Sequence, residues 1–204
     1  MSDLTQLLRR LQAKRAELVA FRERRWPKRT GEIAIGHFRK NFRDAGWNDG
    51  GLTKWPTTKR QKMGGKEAYY NNTPLLSERN NLYGGFTYNI EPGRVVISNN
   101  VEYARIHNEG GSVTHRITPR MRKYAWAKFF EETGIEKGDS PEQRKRKEAN
   151  AGERSALWKR LALTPKQTST IRIPQRRFMG KNAELEQKVK DYTEREIKKL
   201  LGDI

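Results

Sequence analysis

From Gly84 to Asn100 the chain reads GGFTYNIEPGRVVISNN, and this stretch constrains the fold more than any other. Phe86, Tyr88 and Ile90 alternate with Thr87 and Asn89, the period-2 pattern of a half-buried strand. The return, RVVISNN, puts Val95 and Ile97 on one face. Pro92-Gly93 suits a type I or II turn better than the primed turns of two-residue hairpins, which predicts a slightly longer loop. Antiparallel strands with helices packed over one face make an α+β architecture. The flanking sequence supplies such helices.

Asp3 to Arg25 reads as a helix with Leu4, Leu7, Leu8, Leu11 and Leu18 largely on one side, capped by Ser2 or Asp3 and followed by Pro27. A second helix is predicted from Gly31 to Ala45, burying Ile35, Phe38, Phe42 and Ala45 and exposing Arg39, Lys40 and Arg43 to solvent. From Gly46 to Pro74 the pattern dissolves into a long connection in which lysines interleave with Trp47, Trp55, Tyr69 and Tyr70. Basic residues among aromatics can stack single-stranded bases, but nothing repeats at base spacing, and tryptophans pinning a loop to the core is the preferred reading. VEYARIHNEGG leaves the second strand of the hairpin, and Thr114 to Thr118 forms a further short strand. Pro119 starts a helix that ends at Gly134. The polar segment GDSPEQRKRKEANAGER reads as an exposed excursion, and SALWKRLAL as a short returning helix. TSTIRIP is a strand closed by Pro174. Asn182 caps a last helix to Leu201, with Leu185, Val189, Tyr192, Ile197 and Leu200 as its apolar stripe.

The expected fold is therefore one α+β domain over residues 1–204, a small antiparallel sheet packed against N- and C-terminal helices. A basic helical insertion occupies residues 119–168. A chain of 204 residues, 34% hydrophobic and 33% charged, supports one core of ordinary size. No window approaches the roughly 18 apolar residues of a membrane span, and the first residues lack a signal peptide's apolar run. The absence of cysteine excludes disulfides and thiolate chemistry. A net charge of +19 favours polyanions or an acidic protein surface as neighbours.

His107-Asn108 invites comparison with a His–Asn nuclease. Such an enzyme needs a metal and further ligands, yet His115 lies beyond a Gly-Gly break and His37 is isolated on the second helix. MGGKEA lacks both the first glycine and the hydroxyl of a phosphate-binding loop, and no G-x-S-x-G elbow occurs. The sequence predicts no catalytic residue, no metal site and no cofactor.

Motifs in a fixed order carry a resemblance. FRKNF is followed by LTKWPTTKRQK, with Trp55 ahead of a polar Thr/Lys segment, and PLLSERNNLYGGF precedes the hairpin. Then comes tyrosine–alanine–x–x–histidine–x–x–glycine, matched by Tyr103, Ala104, His107 and Gly110. Last is proline–x–arginine–x–phenylalanine–x–glycine, matched by Pro174, Arg176, Phe178 and Gly180, ahead of the C-terminal helix. In these features the chain resembles the virion-morphogenesis, or tail-completion, family of tailed bacteriophages. It departs in having Glu78-Arg79 where the family has a glycine, and in the long stretch from Pro119 to Thr168.

The resemblance implies a structural, non-enzymatic protein made in the host cytoplasm and incorporated in the virion. It further implies a homo-oligomeric ring, six subunits in the expected case, completing the tail at the head–tail junction. Its partners would be tail-tube and connector proteins, with phage DNA passing through the lumen and no membrane involved. The reading left beside it is a nucleic-acid-binding protein acting off the particle. On the residues themselves, His107 is expected to hydrogen-bond a backbone group or carboxylate, with Tyr103 and Ala104 beneath the sheet. Arg176 or Arg177 is expected to brace carbonyls, with Phe178 plugging the core.

Overall fold

The computed structural model describes residues 3–58, 61, 74–76 and 79–202. They divide into two units, Met1–Gly110 with Pro174–Ile204, and Gly111–Ile173. The readings made for Ser2, MGGKEA, Tyr69, Tyr70 and Glu78 fall outside the described residues.

The first unit opens with one helical run. Helix α1 (Asp3–Ala20) passes through a π-helical turn, Phe21–Arg25, directly into α2 (Trp26–Arg43). The expected break at Pro27 does not occur. Proline brings no N–H and crowds the preceding turn. The wider turn just before it, in which Trp26 N–H bonds to Phe21 O, absorbs that defect without ending the helix. Helix α2 buries Ala34, His37, Phe38, Asn41 and Phe42. Arg39 and Arg43, expected on a merely solvated face, both reach Tyr83: Arg39 Nε donates to its carbonyl at 3.2 Å and Arg43 Nη1 to its hydroxyl at 3.4 Å.

After α2 the chain turns through Ala45, at φ 52°, into a small hairpin, β1 (Gly46–Asn48) and β2 (Leu52–Lys54). Two short strands thus lie within the predicted long connection, and Trp47 and Trp55, both buried in the core, pin it there as the sequence reading preferred. A short helix α3 (Asn81–Gly84) leads into β3 (Phe86–Glu91), which pairs antiparallel with β4 (Arg94–Asn99) from Phe86↔Asn99 to Glu91↔Arg94. The loop is only Pro92-Gly93, shorter than expected. Gly93 at φ +75° fits the second central position of a type II turn after proline. The VEYARIHNEGG segment, which the sequence reading places after the second strand without assigning it an element, contains a helix, α4 (Ala104–Glu109).

The core of this unit is aromatic. Phe42 and Phe178 are fully buried, their rings 5.1 Å apart. Trp55, Tyr83 and Phe86 meet Phe42 nearly edge-on, with centroids at 5.6, 6.1 and 5.9 Å. Such geometry adds roughly 0.5–1.5 kcal/mol per pair beyond area burial.

The second unit begins with β5 (Gly111–Arg116), which pairs antiparallel with β6 (Thr168–Ile173), and encloses α5 (Pro119–Thr133), α6 (Pro141–Asn150) and α7 (Glu153–Leu163). The long insertion expected over Pro119–Thr168 lies within these bounds. Thr118 Oγ1 caps α5, and Gly134 ends it at φ 65°. The polar excursion is helical at its centre, since Ser140 and Gln143 form a reciprocal capping box, and α6 buries nothing. Helices α5 and α7 pack together around Ala125, Phe129, Ser155 and Ala162. The last helix, α8 (Ala183–Leu201), returns to the first unit. The α+β class holds, built from three separate two-stranded antiparallel sheets.

Helix α2 meets β3 at Gly31, where a Cβ would lie 2.6 Å from the ring of Tyr88. Gly31→Ala should therefore lower the melting temperature even though alanine favours helix, whereas Gly36→Ala, with open space around it, should raise it or leave it unchanged. Thermal melts by circular dichroism check both.

Candidate functional site

The residues singled out in the sequence converge on one segment of the first unit, Pro174 to Asn182. It belongs to no helix or strand, so its backbone must find hydrogen bonds elsewhere. Side chains and loops supply them. Arg176 N–H donates to His107 O at 2.8 Å. The Arg176 guanidinium, itself buried, donates from Nε and Nη2 to Pro56 O at 3.1 and 3.0 Å. Trp55 Nε1 donates to Arg177 O at 2.9 Å. Asn108 Oδ1 accepts from both Phe178 N and Met179 N, at 2.9 and 3.0 Å. Asn41 Nδ2 donates to Phe178 O at 3.0 Å.

Asparagines extend the arrangement. Asn41 Oδ1 accepts from Asn48 N and Nδ2, both at 3.0 Å, and Asn182 Nδ2 donates to Asn48 O. Asn182 Oδ1 also caps α8 through Leu185 N at 2.7 Å. Asp49 Oδ1 accepts from Ala183 N and Glu184 N at the same helix start, where a carboxylate is favoured by the helix dipole. Arg177 lies over the Trp47 ring at 4.3 Å.

Most residues of the two motifs thus meet. Trp55, Arg176 and Phe178 act directly on the segment, and Ala104 is buried in the same core. At Gly110, with φ +75°, a Cβ would stand 2.8 Å from Gln175 N, so only glycine fits. Gly180, at φ +145°, lies against the Arg177 guanidinium. Pro174 follows the last residue of β6 and is exposed. Two expectations need correction. Tyr103 is 43% exposed rather than packed under the sheet; its hydroxyl accepts from Asn81 Nδ2 at 3.3 Å. His107 contributes its carbonyl, not its ring: Nδ1 is buried without a hydrogen-bond partner, because the short helix aims the imidazole at Tyr103, edge-on at 5.8 Å. Sequence reasoning missed Asn41 and Asn48 altogether and weighed Asn108 only as the neighbour of His107 in a nuclease pair. Their only signal was residue type, since asparagine can donate and accept at once.

The electrostatics favour neutral rings at His107 and His37. Burial and the neighbouring Arg176 hold His107 below its ordinary value. Burial and Lys188 do the same for His37, outweighing Glu184. Lys188 Nζ lies 3.2 Å from His37 Nδ1 and 2.6 Å from Glu184 Oε1. An ammonium can only donate, so Nδ1 accepts and the ring proton sits on Nε2. Burial alone lowers Arg176, whose partners are carbonyls. Among the described residues no group of three His, Asp or Glu side chains could hold a metal, and no helix is long and apolar enough to cross a membrane. The donors and acceptors gathered here are consumed in binding the chain to itself.

Two outcomes follow. Arg176→Ala should cost about 1.5–3 kcal/mol and Asn108→Ala about 1–3 kcal/mol of unfolding free energy, with Asn108→Asp retaining most of the stability because it keeps the acceptor. Urea titrations at pH 7 measure all three. The depressed histidines also set a pH dependence. Between their folded values and the ordinary 6.5, the unfolded chain binds more protons, so stability is complete above 6.5 and falls as pH drops through that window. The loss in melting temperature between pH 7 and 5 should shrink in a His37→Gln/His107→Gln variant.

Neither a curated protein nor a solved structure gives a significant match. A family model does, spanning residues 2–198 and so both motifs and all but the end of α8. The chain belongs to the phage virion morphogenesis family.

Proposed function

We propose that this phage structural protein completes the tail as a ring at the head–tail junction, needed for tail assembly and for joining tail to head. Its subunits associate with one another, six in the expected ring, and the ring contacts tail-tube and connector proteins at the virion neck while phage DNA crosses the lumen. It carries out no chemical step. The observation that carries the reading is the face of α1. Leu4, Leu7, Leu8 and Leu11 are 65, 49, 51 and 47% exposed, and α1 has no buried residue. A row of leucines at helical spacing that its own chain leaves uncovered marks a surface for another protein. Contacts between unlike patches of identical subunits close into rings when the rotation permits. Family membership supplies the context of virion assembly.

Native mass spectrometry and electron microscopy of the purified protein and of virions test the reading, with a closed ring at the tail's upper end expected. A strictly monomeric copy in the virion overturns it. Leu7→Glu/Leu8→Glu should abolish the ring while leaving the melting temperature within a few degrees, since these side chains contribute little to their own chain's core.

A further inference from the structure

The β5–β6 ribbon of the second unit has two unlike faces. The register Ser112↔Arg172, Thr114↔Thr170 and Arg116↔Thr168 puts six polar residues together on one face, because side chains alternate along strands. All six are exposed, and Thr114 and Thr170 join their hydroxyls across the ribbon at 2.8 Å. Val113 and Ile171 occupy the other face. Thr168 and Thr170 also line a cleft of about 690 Å³ whose wall carries Arg160 and Lys166.

Four cations therefore border one run of hydroxyls. Arg116, Arg160, Lys166 and Arg172 have no carboxylate partner among the described residues; in this unit only Lys128, Lys147, Arg154 and Lys159 have one. The unit holds fifteen Lys and Arg against seven Asp and Glu. What sets these four apart is their place around the hydroxyl run, where with no carboxylate against them they keep a local positive field facing solvent.

We propose that this face binds the phosphodiester backbone of double-stranded DNA without reading sequence. Arginine, lysine and Ser/Thr hydroxyls are the side chains that contact phosphate oxygens. A protein partner would look for an apolar centre within a polar rim; the ribbon face is polar throughout, and the apolar side chains nearby, Ile117, Leu157 and Leu161, belong to the adjoining cleft. Arg116 and Arg172 stand at opposite ends of the face, four residues apart along the ribbon, or about 13 Å at strand rise, so they engage separate phosphates. The inference rests on the reading above in supposing DNA nearby, and it adds the surface that touches it.

The test uses the full chain and a fluorescently labelled 30-base-pair duplex, with affinity measured by anisotropy from low to moderate salt. The site variant is Arg116→Gln/Arg160→Gln/Lys166→Gln/Arg172→Gln. A control removes the same charge from the first unit, as Arg10→Gln/Arg24→Gln/Lys198→Gln/Lys199→Gln. The site variant should lose at least tenfold in affinity, with the slope of log K against log salt falling by about 3–4 for four lost phosphate contacts. The control should lose less than threefold, and duplexes of unrelated sequence should bind equally. Equal losses in both variants, or no loss in either, overturn the proposal. So does polyglutamate competing as well as DNA at equal charge, which would point to an acidic protein partner. Circular dichroism melts verify that both variants fold. Ring formation is scored separately by native mass spectrometry, so failure of DNA binding with rings intact rejects this face alone.

Discussion

The backbone between Arg176 and Met179 is buried beside the core yet belongs to no sheet or helix, and the first unit is organised around satisfying it. Each buried amide or carbonyl left without a partner would cost about 1–3 kcal/mol. Asn41 comes from α2, Trp55 and Pro56 follow β2, and His107 and Asn108 come from α4. Segments far apart in the chain are fixed to one another because all of them serve the same few polar groups. Phe178 is placed in this way at the centre of the aromatic cluster. Its main chain is held on both sides, by Asn108 and Asn41, while its ring packs on Phe42 and Phe86.

Magnitudes separate what holds the fold from what decorates it. Ion pairs such as Arg22–Glu23, Arg94–Glu91 and Arg105–Glu109 join exposed side chains, and pairs of this kind typically contribute between 0 and about 1 kcal/mol. The buried aromatic rings and the asparagine network work in the opposite regime, where a lost partner cannot be replaced by water. Charge on this protein therefore speaks to its neighbours more than to its stability. That is in keeping with membership of the phage virion morphogenesis family.

The two units differ in how they present such surfaces. The first offers the leucine row of α1, an apolar face suited to protein. The second offers cations and hydroxyls on the β5–β6 ribbon, suited to phosphate. The chain leaves the first unit at Gly110 and returns at Pro174, beside the segment the side chains brace. Gly110 approaches the Gln175 backbone too closely to allow a side chain. Arg176 N–H bonds to His107 O at 2.8 Å, tying the exit and re-entry points together.

The sequence by itself determined the features that a few neighbouring residues specify. The period-2 alternation from Phe86 to Ile97 named the β3–β4 hairpin. The apolar spacing of Phe38 and Phe42 named the buried face of α2. Pro119, Gly134 and Asn182 marked helix ends. The ordered Tyr–Ala–His–Gly and Pro–Arg–Phe–Gly motifs named the family. Tertiary structure decided the rest. The π-helical turn that carries the chain past Pro27, the two-residue loop at Pro92-Gly93 and the helix within VEYARIHNEGG were each visible only in the folded chain. The exchange of roles between His107 and Asn108 is the clearest case. The histidine attracted the chemical reading, but the asparagine beside it binds two amides seventy residues away or more. A hydrogen bond across such a separation leaves no periodicity in the sequence, because its partner is chosen by the fold.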